Sequence, residues 1–299
     1  MKAKPRVLIL LSTYNGEHYL RELLDSLFNQ QEVDVTVFAS DDISTDSTHQ
    51  ILDEYKKKFK LDYRVNKTNK NFTYNFLDLI YDNKDADFDY FALSDQDDVW
   101  LENKIIAAIN KLNEEKVHFY CSNLTVVDEK LENSKPMNKF KVKKKDNPSS
   151  YILENICTGC TTVFDKEFMN QLAKHYPNNI YLHDYWLMLV AVYTSNFVYD
   201  QNAYILYRQH GNNQIGSQDN SLAAYYQKFN TAKSFRFNLI SELLEGYRSE
   251  IKEEDLKNLE LFLNYKNKFS AKMKIFFSRK FKTKTHSFLR KIKLLFNKY

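Results

Sequence analysis

Three carboxylates, Asp95, Asp97 and Asp98, lie within four residues of one another and directly follow the apolar segment 90–93. Like charges this close repel, so the cluster favours a compensating cation. Hard oxygen ligands suit Mg²⁺ or Mn²⁺, which can also bind the oxygens of a diphosphate. The same residues could instead form a solvated acidic turn before a helix at Leu101. The cluster alone leaves both interpretations open.

The elements that must position this cluster can be read from the spacing of apolar residues. Helical spacing over 17–29, 45–59, 72–81 and 101–112 alternates with short strand-like runs at 7–11, 33–39, 61–65, 90–93 and 117–122. Such alternation predicts an α/β fold with a mostly parallel central sheet flanked by helices. Ligands of these sheets bind at the carboxyl ends of the strands. Polar residues lie at three of those ends, at 12–15, 41–42 and 95–98.

The second half of the chain is less regular. A polar, lysine-rich stretch at 132–150 is predicted to be a mobile loop. It is followed by a strand at 161–164, helices at 166–173 and 182–193, and a strand pair at 197–200 and 204–208. From Ser221 onward the pattern is helical. Neither Gly-x-Gly-x-x-Gly nor Gly-x-x-x-x-Gly-Lys occurs, which argues against a dinucleotide site or a P-loop.

The composition limits the class of protein. The 299 residues are 43% hydrophobic and 27% charged, with three cysteines. This is enough apolar material for a core, and it excludes disordered, collagen-like and disulfide-stapled chains. No apolar run approaches the roughly 18 residues that a membrane span needs, so we expect a cytosolic protein. Cys157 and Cys160 lack the further ligands of a zinc site, and we interpret them as packing residues.

The C-terminal tail, defined as residues 266–299, has 12 of the chain's 43 Lys and Arg and none of its Asp or Glu. Its apolar residues fall on helical faces: Phe269, Met273, Phe276 and Phe277, then Phe288, Leu289, Ile292, Leu295 and Phe296. Basic amphipathic helices are typical of elements that bind an anionic membrane surface. A helix that packs on the body, with a solvated basic face, is the alternative. Nucleic-acid binding is not expected, because the rest of the chain is acidic and has no known nucleic-acid motif.

Five motifs in order resemble those of family 2 glycosyltransferases of the GT-A fold, and most closely a bacterial rhamnosyltransferase-like branch. They are Ser12-Thr13-Tyr14-Asn15-Gly16, Ser40-Asp41-Asp42, Ser94-Asp95-Gln96-Asp97-Asp98, His183-Asp184-Tyr185-Trp186 and Tyr207-Arg208-Gln209-His210-Gly211. The resemblance covers about residues 5–216. It implies a GT-A domain at 1–216, followed by a helical C-terminal region at 217–299 with the basic tail.

The resemblance implies roles on the side of the sugar donor. Thr13, Tyr14, Asn15 and Asp42 would hold a nucleotide-diphosphate sugar, with Tyr14 stacking on the base and Asp42 accepting its ring N–H. Arg208 would bind a phosphate.

The resemblance also implies a metal site and a base. Asp97, with Asp95 and His210, would hold Mn²⁺ or Mg²⁺, and Asp95 would also lie near the ribose and the donor sugar. Asp184 stands at the position of the catalytic base, although a carboxylate there could also serve only to stabilise the start of a helix. Gly159 and Trp186 would lie on the side of the acceptor. His210 could also be an ordinary hydrogen-bonded loop histidine.

The reaction implied is metal-dependent transfer of a sugar, with rhamnose the best candidate, and inversion at the anomeric carbon. The sugar donor would be dTDP- or UDP-linked, and the acceptor a hydroxyl of a lipid-linked or cell-surface saccharide. The enzyme would therefore sit in the cytoplasm, peripheral on the inner face of the membrane, with a tail that its chemistry does not need. One alternative is a UDP-hexose or UDP-N-acetylhexosamine donor. Another is a non-catalytic sugar- or nucleotide-binding module, against which the intact Asp95, Asp97 and Asp184 argue.

Two positions depart from the family pattern. Ile43 and Asn71 stand where the family usually has glycine. Asn tolerates a positive φ, whereas a β-branched residue does so only at a cost. We therefore expect a reshaped loop after Asp42.

Overall fold

The computed structural model describes residues 3–138, 142, 146–211 and 235–297. Strands and helices alternate in its first part: β1 (Arg6–Thr13), α1 (Leu20–Phe28), β2 (Asp34–Asp41), α2 (Thr48–Lys56), β3 (Leu61–Val65), α3 (Asn71–Asp82), β4 (Tyr90–Ser94), β5 (Val99–Trp100), α4 (Lys104–Glu115) and β6 (Phe119–Val127). The later elements are β7 (Lys135–Pro136), 3₁₀ helices at Pro148–Ile152 and Gly159–Thr161, β8 (Val163–Asp165), α5 (Lys166–Leu172), α6 (His183–Thr194), β9 (Phe197–Arg208), α7 (Phe235–Tyr247), α8 (Glu253–Leu263), α9 (Phe269–Phe277) and α10 (Ser287–Leu295).

One sheet organises the molecule, in the strand order β3-β2-β1-β4-β8-β6-β9-β5, with β7 paired to β6. The strands β3, β2, β1 and β4 are parallel, as predicted. Beyond β4 the pairing is mixed: β8 runs antiparallel to both β4 and β6, while β6 and β9 are parallel. The carboxyl ends of β1, β2 and β4 therefore meet at one edge of the sheet.

The central strand β1 is buried on both faces. Its Leu8 and Leu10 point into one hydrophobic cluster with α3, α6 and the C-terminal helices. Its Val7, Ile9 and Leu11 point into the other cluster, with α1, α2 and α4. The period of two in a strand explains why a sheet covered on both sides needs an unbroken apolar run.

Long-range pairing changes two predicted elements. The helix predicted from Leu101 begins at Lys104, because Val99 and Trp100 form a short strand against β9. The predicted strand pair at 197–200 and 204–208 is instead one continuous strand, β9, which runs parallel to β6. The register of β9 against β6 is irregular at the point where the prediction separated two strands.

Trp186 is a core residue, and the prediction that it lies beside an acceptor is wrong. Its side chain is fully buried. The indole lies beside the rings of His175 and Tyr247, with ring centroids 6.0 Å away in each case, and its N–H donates to the hydroxyl of Tyr81 at 3.4 Å. Because α6 is apolar all round, its side chains at this depth face α3, α5 and α7.

The C-terminal tail packs on the body. Ile275, Phe281 and Leu294 are fully buried and belong to the same hydrophobic cluster as α6. The alternative that the tail packs on the body therefore holds for its inner face, and the expectation that the chemistry does not need the tail stays a prediction. The outer face remains exposed, and its apolar side chains are Phe269, Phe277, Phe288, Leu289 and Phe296.

Some predictions fall on residues outside the described ranges. These include most of the lysines of the predicted loop at 132–150, the start of the C-terminal helices, and the boundary between 216 and 217. The division into two regions thus stays a prediction. Among the described residues, no helix is both long enough and apolar enough to cross a membrane.

The loop after β2 contains a backbone conformation that its sequence disfavours. Ile43 has a φ of 67° and Asn71 a φ of 59°, so both adopt the left-handed region that glycine would adopt more easily. The chain keeps the turn and accepts the steric cost at Ile43, whose side chain is 38% exposed. The reshaped loop expected at this position is not observed.

We predict that Ile43→Asn stabilises the protein. Asn tolerates the left-handed region, so the free energy of unfolding should rise by about 1 kcal/mol. Urea denaturation followed by circular dichroism measures the change. The control is Val65→Asn, at the end of β3, which should lower stability because Asn is disfavoured in strands. An Ile43→Asn variant no more stable than the parent would show that the turn carries no strain.

Candidate active site

A cavity of about 610 Å³ opens at the carboxyl ends of β1, β2 and β4. The start of α6 closes its far side, and the segments around Asn155 and Tyr207 complete its wall. The predicted site residues that line it are Tyr14, Asn15, Asp42, Asp95, Asp97, Gly159, Asp184 and His210. The fold thus gathers residues from all five motifs around one space.

Asp97 and His210 lie in contact, as the predicted metal site requires. The imidazole Nε2 of His210 is 2.8 Å from the Oδ2 of Asp97, and the ring lies against that of Tyr19, with centroids 4.8 Å apart. The antiparallel pairing of β5 with β9 brings these two distant segments together.

Arg208 supports Asp97 from the interior of the protein. The prediction that Arg208 binds a phosphate is wrong. It is 3% exposed. Its guanidinium donates to the backbone oxygens of Asp97, at 3.0 Å from Nε, and of Glu129, and also pairs with the carboxylate of Glu22. The guanidinium carbon lies 4.6 Å from the centroid of the Tyr19 ring. Arg208 therefore positions Asp97.

Asp95 and Asp98 form a second acidic group with Cys160. One ligand atom of each lies within 4.8 Å of the others. Burial, with the charges of Asp97 and Asp184, raises the pKa of Asp95 to about 7. Burial and neighbouring carboxylates also raise the pKa of Asp98, which is fully buried and whose Oδ2 has no hydrogen-bond partner among the described residues.

These side chains fit a divalent cation. Carboxylate oxygens and an imidazole nitrogen are ligands that Mn²⁺ accepts. Burial and the neighbouring carboxylates of Asp97 and Asp184 raise the pKa of Asp95, and a cation would offset this repulsion. Asp98 was not predicted as a site residue, although it belongs to the same acidic run. Its burial beneath Asp95 is a tertiary effect.

Asp184 lies across the cavity, in the first turn of α6. Its Oδ1 accepts a hydrogen bond from Asn155 Nδ2 at 3.1 Å, and the backbone N–H groups of Gly159 and Tyr185 also favour its charged form. Burial outweighs these bonds and raises the pKa of Asp184 to about 7. A carboxyl group with this pKa can take up or release a proton near neutral pH. Sequence reasoning missed Asn155, because it lies in a loop with no motif.

Gly159 is required by the packing of its neighbour. A Cβ atom at Gly159 would lie 2.6 Å from Nε2 of His183, whose ring stacks on Phe76 with centroids 4.3 Å apart. Gly159 lines the cavity, and its contact with an acceptor stays a prediction. Burial lowers the pKa of His183 to about 3, so its imidazole is neutral.

The side chain of Thr13 does not line the cavity, which corrects its predicted role. It is 1% exposed, and its hydroxyl donates to Asp41 Oδ2 at 2.8 Å. Asp42 does line the cavity and already accepts from the backbone N–H of Lys70 at 2.9 Å. Tyr14 is 43% exposed beside them, which leaves its ring available for stacking.

Two loop contacts hold this wall in place. Gln96 accepts from the backbone N–H of Tyr14 and donates to its carbonyl, at 2.8 Å in both cases. Asn15 accepts from the backbone N–H of Thr45, also at 2.8 Å. The loops after β1, β2 and β4 are thereby joined. Gln96 is a second functional residue that pattern analysis did not assign.

Comparisons with known proteins agree with this architecture. Residues 8–173 match the family model described as Glycosyl transferase family 2. The dTDP-rhamnosyl transferase RfbG of Shigella flexneri is 33% identical over 226 residues, which are 72% of this chain and 76% of that protein.

Two solved structures show the fold. TarS 1–349 of S. aureus, in complex with UDP-GlcNAc, has a TM-score of 0.62 at 18% identity, covering 97% of this chain and 79% of that chain. This chain spans 44% of a longer TarS chain. The mannosyltransferase PcManGT of Pyrobaculum calidifontis, in complex with GDP-Man and Mn²⁺, has a TM-score of 0.57 at 12% identity, covering 98% and 74%. These likenesses confirm the predicted α/β fold of the GT-A type.

Proposed function

The chain belongs to glycosyltransferase family 2, and from that membership we propose that it transfers rhamnose, with inversion, from a nucleoside diphosphate to a saccharide hydroxyl. The observation that carries the proposal is the placement of Asp184 opposite the acidic cluster in one cavity. The reaction requires a base and a site for a diphosphate, and we propose that Asp184 and the acidic cluster supply them in a space large enough for a sugar.

The sugar donor is proposed to be dTDP-linked. The supporting comparison is RfbG, a dTDP-rhamnosyl transferase by name. A UDP-N-acetylhexosamine is the second candidate, because TarS 1–349 was solved in complex with UDP-GlcNAc. Tyr14 and Asp42 are proposed to hold the pyrimidine, Tyr14 through its exposed ring and Asp42 through a carboxylate oxygen. Asn15 would contribute by fixing the loop that carries Tyr14.

Asp97, Asp95 and His210 are proposed to hold Mn²⁺ or Mg²⁺. A divalent cation supplies Lewis-acid stabilisation of the negative charge that develops on the departing diphosphate. Arg208 keeps the backbone of Asp97 in place through its bond to the carbonyl oxygen.

Asp184 is proposed to take the proton from the acceptor hydroxyl as that oxygen attacks the anomeric carbon. A single displacement of this kind inverts the configuration at that carbon. Asn155 and the N–H of Gly159 hold the carboxylate at the cavity wall, so that its free lone pairs face the acceptor. The apolar wall below it, from Phe76 and Leu182, keeps water away from the reacting centre.

The acceptor is proposed to be a lipid-linked saccharide, reached by peripheral attachment to the membrane. The support is the outer face of the tail, where Phe269, Phe277 and Phe288 are 75%, 73% and 67% exposed among many lysines. Exposed aromatic side chains together with basic charges match an anionic lipid surface in both polarity and sign. This proposal does not require the tail to leave the body.

We predict that Asp184→Asn lowers turnover by at least about a hundredfold, the usual scale for loss of a general base. Binding of the sugar donor should persist. Turnover of the parent enzyme should rise as the pH rises through about 7, because Asp184 accepts a proton only when ionised. Transfer to a soluble acceptor analogue, followed by liquid chromatography, measures both effects.

The matched control for this variant is Asp165→Asn. Asp165 is the N-cap of α5 and accepts from the backbone N–H of Phe168, so it is a helix-start carboxylate outside the cavity. Its substitution should leave turnover within about twofold, since Asn also caps helices well. Equal turnover in the two variants would reduce Asp184 to a helix-stabilising residue.

We predict that Asp97→Ala removes the Mn²⁺-dependent part of nucleotide binding and leaves the fold intact. Calorimetry with dTDP and with UDP, in the presence and absence of Mn²⁺, measures the loss, which should be at least tenfold. The control is Asp85→Ala, at an exposed carboxylate that does not line the cavity. Mn²⁺ dependence that survives in Asp97→Ala would refute the metal assignment.

We predict that replacing Phe269, Phe277 and Phe288 together by Ser lowers partitioning onto vesicles rich in phosphatidylglycerol by at least tenfold. All three are exposed, so folding should be unchanged. Truncation of the tail is a poorer test, because it removes the buried Ile275 and Leu294. The control is Val65→Ser, at an exposed apolar residue on the sheet edge. Sedimentation equal to that of the parent would contradict the proposal.

A further inference from the structure

The tail reaches the active site through one buried carboxylate. Glu154 is 3% exposed, and it lies in the segment between the 3₁₀ helix Pro148–Ile152 and the cavity wall. Among the described residues, its hydrogen bonds all come from the tail: the backbone N–H groups of Lys284 and Thr285, the Thr285 hydroxyl, and Nη2 of Arg290 at 3.3 Å. The body thus supplies the acid and the tail supplies the donors.

Arg290 is the residue that joins these contacts. Its Nη1 donates to the carbonyl oxygen of Leu153 at 2.8 Å, and its Nε donates to that of Thr285 at 3.2 Å. The planar guanidinium therefore binds the side chain of Glu154, the backbone just before it, and the tail loop at the same time. A lysine at this position could pair with the carboxylate but could not reproduce the fork.

Asn155, which follows Glu154 along the chain, holds Asp184, the proposed base. Asn155 donates from Nδ2 to Asp184 Oδ1 at 3.1 Å, and its Oδ1 accepts from the backbone N–H of Cys157 at 2.9 Å. Gly159, four residues after Asn155, also supports Asp184 through its backbone N–H. The segment 153–159 is therefore bound to the tail at one end and to Asp184 at the other.

We propose that Arg290 is a positioning residue for Asp184: through Glu154 it fixes the backbone that places Asn155 on the base, so that the C-terminal tail is part of the active site. The inference rests on the proposed function for its catalytic consequence. The contacts that carry it are independent of the identity of the sugar or the metal.

The energetics favour a concerted effect. Glu154 is buried, so removal of the Arg290 guanidinium leaves its carboxylate with only the neutral donors of Lys284 and Thr285, and a buried charge that loses its charged partner is costly. Without Arg290, Glu154 gains by moving toward water, and Asn155 must follow because it is the adjacent residue. Loss of the Asn155 bond removes a contact that favours the charged form of Asp184, so the pKa of Asp184 should rise further.

The test compares Arg290→Ala with the parent in steady-state kinetics with a soluble acceptor analogue. We expect kcat to fall at least tenfold while KM for the sugar donor stays within twofold. The ascending limb of the kcat–pH profile should shift to higher pH. Within the described part of the chain, the other titratable groups that Asp184 affects electrostatically are Asp95 and Cys157, and neither has a hydrogen bond or ion pair with Arg290 there. An unshifted limb would overturn the proposal.

Three further variants separate positioning from general destabilisation. Asn155→Ala should reproduce the shifted limb, and the double variant should show no additional loss, since both changes break the same connection. Arg290→Lys should recover part of kcat. The matched control is Arg248→Ala, which removes an Arg–Glu pair with Glu260, both exposed, and should change nothing. If the losses of the two single variants add up in the double variant, Arg290 and Asn155 act independently and the proposed connection is refuted.

Hydrogen exchange tests the inference even if no sugar transfer is observed, because it does not depend on catalysis. Hydrogen exchange of the peptide spanning 153–159 should accelerate at least tenfold in Arg290→Ala and should be unchanged in Arg248→Ala. If Arg290→Ala does not fold, Arg290→Lys and Glu154→Gln are measured in its place. Unchanged exchange would overturn the proposal. Accelerated exchange in an enzyme that transfers no sugar would refute the proposed function and leave the connection standing.

Discussion

A buried guanidinium joins the parts of the chain that the cavity needs. Arg208 ends β9, and its donors reach the loop after β4, the turn after β6 and the first turn of α1. A lysine could not make these contacts at once, because it has no fork of fixed donors. The geometry of the acidic wall depends on this residue.

The sequence predicted those features that depend on local periodicity. The unbroken apolar run of β1 indicated a strand covered on both faces, and Leu8 and Ile9 indeed point into different cores. It did not predict which way the side chains of individual motif residues point. Thr13 and Trp186 stand in motifs that line the cavity, yet tertiary packing directs both side chains into the interior. Residue type and spacing carry no information about that direction.

The tail shows a related limit. Helical spacing correctly indicated apolar faces in α9 and α10, but it could not show that each helix presents apolar residues on two sides. Ile275 and Leu294 pack into the core, whereas Phe277 and Phe288 remain exposed. A surface helix that only covers a core needs apolar residues on one side. The second apolar side therefore has another origin than core packing, and this exposed side is the one proposed to contact a lipid surface.

Burial gives two adjacent residues opposite protonation behaviour. A histidine with its ordinary pKa near 6.5 would be a usual base at neutral pH. Burial lowers the pKa of His183 to about 3, and neither ring nitrogen has a hydrogen-bond partner in the part of the chain that the structure describes. The same environment raises the pKa of Asp184 to about 7. Both pKa shifts favour the neutral form of the side chain. His183 therefore does not become a cation that would keep Asp184 ionised at low pH. Of this adjacent pair, Asp184 is therefore the side chain whose protonation changes near neutral pH, and it is the one that Asn155 and Gly159 hydrogen-bond.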